Sequence, residues 1–126
     1  MKKKNIEDLT LSELRNLVKE AEQVKQKIET KGKSYCIVRT YSAGVFAGNF
    51  DRNTKGKEGI VYNARRIFYW DGAASLSQLA NDGTNKPENC KFAQEVSEVD
   101  LKEIIEVIPT TEKAKKNIQS VKVWEK

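Results

Sequence analysis

The sequence predicts an α+β fold: an antiparallel β-sheet meander with an N-terminal helix, a short middle helix and a C-terminal helix. Three observations predict it. Apolar residues recur at helical spacing before residue 33, the period falls to two between Ser34 and Trp70, and short helix and strand patterns separated by turn residues follow. No linker is long enough to divide the 126 residues, so one domain is expected. Residues 1–33 form its N-terminal helical segment, and 34–126 carry the sheet core and the C-terminal helix.

The first helix is expected to begin at Leu11. Thr10 stands three residues before Glu13, the spacing of a capping box. Leu14, Leu17, Val18, Ala21, Val24 and Ile28 then form a narrow apolar stripe, and Gly32 is the natural stop. Such a stripe suits either the protein's own sheet or a partner helix in an oligomer.

From Ser34, Tyr35, Ile37, Arg39 and Tyr41 alternate with Cys36, Val38 and Thr40. Ser42 to Gly44 supply a turn, Val45 to Asp51 a second strand, Asn53 to Gly56 a polar turn, and Ile60 to Trp70 a third strand. Ser75 to Asn81 reads as a short helix ending near Gly83, followed by the polar loop DGTNKPENCK. Phe92 to Val96 and Glu103 to Ile108 read as short strands, and Thr110 or Thr111 can cap a closing helix through Ile118.

Composition narrows the function classes. The chain has 23 basic and 18 acidic residues, a net charge of +5, but the excess is spread out. Residues 1–33 hold nine basic and six acidic side chains, 34–97 eight and six, and 98–126 six of each, which does not favour nucleic acid. Histidine is absent, which removes the usual general base, metal ligand and neutral-pH switch. Cys36 and Cys90 belong to no paired motif, so neither a zinc site nor a disulfide is expected. No apolar run approaches spanning length and the start MKKKNIEDLT lacks a signal-peptide core, so a cytoplasmic protein without membrane contact is expected.

The densest chemistry is VYNARRIFYWDGAASL, residues 61–76. Arg65 and Arg66 run into Phe68, Tyr69 and Trp70, with small residues behind them. Guanidinium groups clamp phosphate and flat rings stack on bases, so this run suits a nucleotide-type ligand. Neighbours in a strand point to opposite faces, so at most one arginine lines a given pocket; the other serves a second face, a subunit contact or solubility. Two of the three aromatics are expected in the core.

Two further walls are candidates. Asn89 suits an adenine edge or a ribose hydroxyl and Phe92 could stack, or the loop is ordinary turn chemistry. Tyr41, Ser42 and Gly44 offer hydroxyls and close backbone approach, or merely a hairpin turn. The ligand-binding set is therefore Tyr41, Ser42, Gly44, Arg65, Arg66, Trp70, Asn89 and Phe92. No phosphate-binding glycine loop, G-x-G-x-x-G run or nucleophile turn is present, and no carboxylates are spaced as an acid and base pair. The chain reads as a binding protein that needs no metal or cofactor, and not as an enzyme. A small nucleic-acid-binding protein is the alternative, on interleaved arginine and aromatic residues and a pI of 9.2.

The segments CIVRTYSAGVFAGNF, VYNARRIFYWDGAASLSQLA, KPENCKF and EIIEVIPTTEKAKKNI give the chain a likeness over roughly residues 35–126. It resembles the first-described anti-Thoeris family of phage and prophage proteins, which defeat a bacterial defence by sequestering its nucleotide signal. The resemblance implies an anti-defence sponge for glycocyclic ADP-ribose, a cyclic ADP-ribose isomer made by TIR-domain enzymes, acting in the cytoplasm of the bacterial host cell. It also implies homo-oligomers, dimers or a trimer of dimers, with ligand sites between subunits. In some members cyclic trinucleotides occupy separate sites.

Overall fold

The computed structural model describes residues 15–16 and 32–125. The chain divides into two units, residues 1–31 and 32–126. The N-terminal capping box and apolar stripe lie outside the described residues, apart from the helical pair Arg15 and Asn16.

The second unit is α+β, with six strands in one antiparallel sheet and two helices. In chain order come β1 (Ser34–Thr40), β2 (Val45–Phe50), β3 (Gly59–Tyr69), α1 (Leu76–Asp82), β4 (Lys91–Phe92), β5 (Val96–Leu101), β6 (Ile104–Pro109) and α2 (Glu112–Ser120). Only β1, β2 and β3 form a meander. β6 returns to pair with β1, while β4 and β5 share the far edge of β3, β5 along Gly59 to Ala64 and β4 along Ile67 to Tyr69. Of the expected strand Phe92–Val96 only the ends are strand, Phe92 in β4 and Val96 in β5, with residues 93–95 irregular between them.

Alternation buries both sheet faces. Tyr35, Ile37, Ala47 and Ile67 pack with Leu79 and Ala80 of α1, Ile118 of α2 and Phe92. Cys36, Val38, Phe46, Phe50, Val61 and Ala64 pack on the other side with Leu101 and Ile104. The sheet curls so that β5 and β6, on opposite margins, are joined by only Lys102 and Glu103, and the Ile104 N–H donates to the Lys57 carbonyl at 2.8 Å. Cys36 and Cys90 are free and buried.

Caps end the helices as their chemistry requires. The Ser75 hydroxyl accepts from the Gln78 N–H, and Gly83 closes α1 with a φ of 75°. Thr111 caps α2 by accepting from the Ala114 N–H. Thr110 instead donates twice, through N–H and hydroxyl, to the Tyr35 carbonyl.

A bulge in β3 positions the site. Ala47 pairs with Arg65 and Asn49 with Tyr62, so Asn63 and Ala64 together oppose Gly48. Asn63 takes a φ of 51°, and its side-chain oxygen accepts from Asn49 Nδ2. A Cβ on Gly48 would lie 2.6 Å from Val61 Cγ1 and 2.7 Å from the Tyr62 carbonyl oxygen, so only glycine fits. The extra residue breaks the alternation. Val61 and Ala64 share one cluster although they are three apart, and Ile67 then joins the helix-side cluster.

Candidate functional site

The rephased β3 sends Arg65 inward and Arg66 outward. Arg65 is 3% exposed. Its guanidinium makes four hydrogen bonds, all to backbone carbonyls: Nε to Ala93 at 2.8 Å, Nη1 to Ile118 at 2.9 Å and Val121 at 2.8 Å, and Nη2 to Phe92 at 3.2 Å. Ile118 lies in the last turn of α2, so the cation also meets the negative end of that helix. Burial pulls the pKa of Arg65 below its ordinary value, and the nearby Tyr35 and Glu95 oppose that shift. An arginine keeps its charge in proteins. Arg65 is therefore an internal staple, which corrects its place among the ligand contacts.

Arg66 is exposed and stacks on rings. Its guanidinium carbon lies 4.8 Å from the Phe46 centroid and 5.9 Å from that of Phe68. The antiparallel register sets Phe46 directly opposite Arg66. These side chains open on a cleft of about 190 Å3 whose other walls are Ala64, Ala93, Gln94, Val96 and Val99. The lining therefore offers one guanidinium and one amide among apolar groups. Ligand pockets for drug-sized molecules run from about 300 Å3. This cleft has room for a fragment about the size of one flat ring system and not for a whole nucleotide.

The aromatic surface continues beyond the cleft. Phe68 is 54% exposed and meets Trp124 edge-on, with centroids 5.7 Å apart. The Lys91 ammonium lies 5.4 Å from the Trp124 ring. Trp124 is held here because its backbone N–H donates to the Phe92 carbonyl at 2.9 Å and Val123 bridges to Phe92 in parallel. Two cations and two exposed rings thus form one connected row, Arg66, Phe68, Trp124 and Lys91, with the buried Phe46 ring beneath Arg66.

The other expected contacts are distributed differently. Phe92 is fully buried in the helix-side core beneath the Arg65 guanidinium, so it cannot stack on a ligand. Trp70 is half-buried against the same core. Only Trp70 of the three consecutive aromatics packs inward, since Tyr69, like Phe68, is about half exposed, at 52%. Asn89 donates to the Asp71 carboxylate at 3.0 Å. That bond and the Gly72 N–H hold the Asp71 carboxyl below its ordinary range.

Tyr41, Ser42 and Gly44 belong to a separate feature. Tyr41 is 81% exposed and lines a depression of about 240 Å3 with Lys57, Glu103 and Ile105. The Ser42 hydroxyl donates to Glu103 at 2.8 Å, and the Gly44 carbonyl accepts from the N–H and hydroxyl of Thr40. Of the eight expected residues, only Arg66 stands in the cleft. Sequence reasoning missed Phe46, Gln94 and Trp124. The pairing of Phe46 with Arg66 belongs to the β2–β3 register, which the connection after Phe50 and the bulge at Asn63 set together, and Gln94 and Trp124 carry no local signal.

Among the described residues, no group of three or more Cys, Asp or Glu side chains could hold a metal ion, and no helix is long and apolar enough to cross a membrane. A family model described as a domain of unknown function (DUF6948) matches residues 33–118, and the chain belongs to that family. No curated protein and no solved structure matches it.

Proposed function

We propose that this protein binds an anionic nucleotide signal at the Arg66 cleft and holds it unchanged, as a phage-encoded sponge for a cyclic ADP-ribose-type molecule. The Arg66 guanidinium stacked 4.8 Å above Phe46, beside the half-exposed ring of Phe68, carries this reading. A guanidinium held over a ring offers its N–H donors to a phosphate with less side-chain freedom left to lose. The apolar walls and Phe68 take the base, and the Gln94 amide can pair with its edge.

Sequestration rather than turnover is supported by what lines the cleft. A guanidinium and an amide bind but supply no general base near neutral pH, and the sequence holds no histidine. The resemblance to anti-Thoeris proteins selects glycocyclic ADP-ribose as the signal, with the bacterial cytoplasm as the place of action and block of Thoeris defence as the outcome. It extends the ligand range to cyclic oligonucleotides. The apolar stripe from Leu14 to Ile28 supports a homo-oligomer, and light scattering at micromolar concentration should give at least a dimer mass.

The deciding experiment incubates the purified protein with the product of a TIR-domain enzyme, removes free ligand, denatures the protein by heat and weighs what is released. Intact glycocyclic ADP-ribose is expected. A cleaved product would make the protein an enzyme, and no released nucleotide would end the sponge reading.

The second reading is a protein for single-stranded nucleic acid. The row from Arg66 through Phe68 and Trp124 to Lys91 favours it, because successive exposed ring and cation stations are what base stacking along a strand uses.

A further inference from the structure

We infer that Arg65, which faces away from the cleft, is the positioning residue of the nucleotide site. This inference rests on the reading of the Arg66 cleft as that site. The four carbonyls that Arg65 holds come from two segments, Phe92–Ala93 and Ile118–Val121. Each segment leads directly into part of the site. After Ala93, itself a wall, come Gln94 and Val96. Three residues after Val121 comes Trp124, whose ring meets Phe68.

Beyond these anchors neither stretch has extensive secondary structure to fix it. β4 is two residues long and residues 93–95 are irregular; after α2 only Val123 makes a bridge. The planar fork of Arg65 spans both segments at once, with Nε on one and Nη1 on the other. Nη2 adds the Phe92 carbonyl, which also accepts the Trp124 N–H. Arg65 and Arg66 are joined by one peptide bond in a paired strand, so the fork references the far wall and the Trp124 ring to the backbone that carries the binding arginine. The Ala93 N–H closes the loop by donating to the Arg66 carbonyl at 2.8 Å.

Lysine at this position keeps a charge but loses the fork, because one ammonium cannot meet two segments in the same geometry. The test compares Arg65→Lys with Leu79→Ala, a destabilised control in the same core whose side chain makes none of the four hydrogen bonds. ADP-ribose is the probe, at a temperature where circular dichroism shows both variants folded. Arg65→Lys should weaken binding at least tenfold, while Leu79→Ala binds as the parent does. Equal affinity of the two variants would overturn the inference and leave the nucleotide reading standing. Failure of the parent protein to bind ADP-ribose, AMP and the TIR-enzyme product would sink both.

Should Arg65→Lys not fold, hydrogen exchange on the parent protein decides. Added ADP-ribose should slow the Ala93 and Trp124 amides more than the amides of the β1–β2 hairpin. Uniform slowing, or none at these two amides, would overturn the inference.

Discussion

Arg65 and Arg66 are chain neighbours with opposite fates: one guanidinium is buried against four carbonyls, and the other lies exposed over the buried ring of Phe46. Strand geometry alone sends adjacent side chains to opposite faces. The bulge at Asn63 decides which goes where, since a regular β3 would place Arg65 on the same face as Val61. A single extra residue therefore turns Arg66 toward the cleft and makes Arg65 a structural cation.

Arg65→Ala should cost stability. The substitution strands the carbonyls of Ala93 and Val121, while those of Phe92 and Ile118 keep the Trp124 and Val121 N–H groups, and each buried group left unsatisfied costs about 1–3 kcal/mol. Part of that is regained by local relaxation and water, so a total loss of about 3 kcal/mol or more is expected. Urea unfolding would measure it. An unchanged midpoint would mean that the fork carries no net energy.

Much of the fold was legible because its signals are local. The period-two run of β1, the Ser75 and Gly83 caps of α1 and the Thr111 cap of α2 each lie within a few residues of what they control. β5 was not legible, because VSEVDL places charges on an exposed strand and its partner, β3, lies about forty residues away. The site failed for the same reason. Buried arginines are rare, so Arg65 read as a ligand contact, and its inward phase depends on a bulge that no turn residue announces. Phe92 sits in a polar stretch and gives no local sign of the core that receives it.

Gly48→Ala tests the bulge. The new methyl group would meet the Tyr62 carbonyl at 2.7 Å and Ala64 Cα at 3.1 Å, both backbone atoms that cannot step aside. Overpacking of this kind costs about 1–3 kcal/mol. Thermal unfolding should show the loss, and binding should weaken with it because the phase of Arg65 and Arg66 depends on the same two strands. A variant as stable as the parent would show that β2 can shift without cost.

Asp71 gives a pH prediction with a definite sign. The Asn89 amide and then the Gly72 N–H favour its charged form, so its folded pKa lies below that of an unfolded aspartate, about 3.9. The stabilising contribution is complete above the unfolded value and is lost as pH falls through the folded one. Asn89→Ala should raise the Asp71 midpoint toward the ordinary value, read by carboxyl carbon NMR. An unmoved midpoint would show that the hydrogen bond does not form in solution.

The final prediction separates the two binding readings through Arg66 and salt. A guanidinium that clamps a pyrophosphate at a partly closed cleft neutralises two or three charges, so affinity should fall only modestly as salt rises. A protein that follows a nucleic-acid backbone releases many counterions, and its affinity falls by orders of magnitude over a few-fold rise in salt. Arg66→Ala should weaken ADP-ribose by about 1.5–3 kcal/mol, the scale of hydrogen bonds to charged groups, or roughly ten- to a hundredfold. Fold stability should change little, because the Arg66 head is exposed and its ring contact with Phe46 is worth about 0.5–1 kcal/mol. Arg66→Lys should recover only part of the affinity, since an ammonium keeps the charge but neither the flat stacking surface nor the two-pronged contact. If Arg66→Ala binds ADP-ribose as the parent does, while single-stranded DNA binds with a steep salt slope that Phe68→Ala and Trp124→Ala abolish, the row of rings is a strand platform and the sponge reading is wrong.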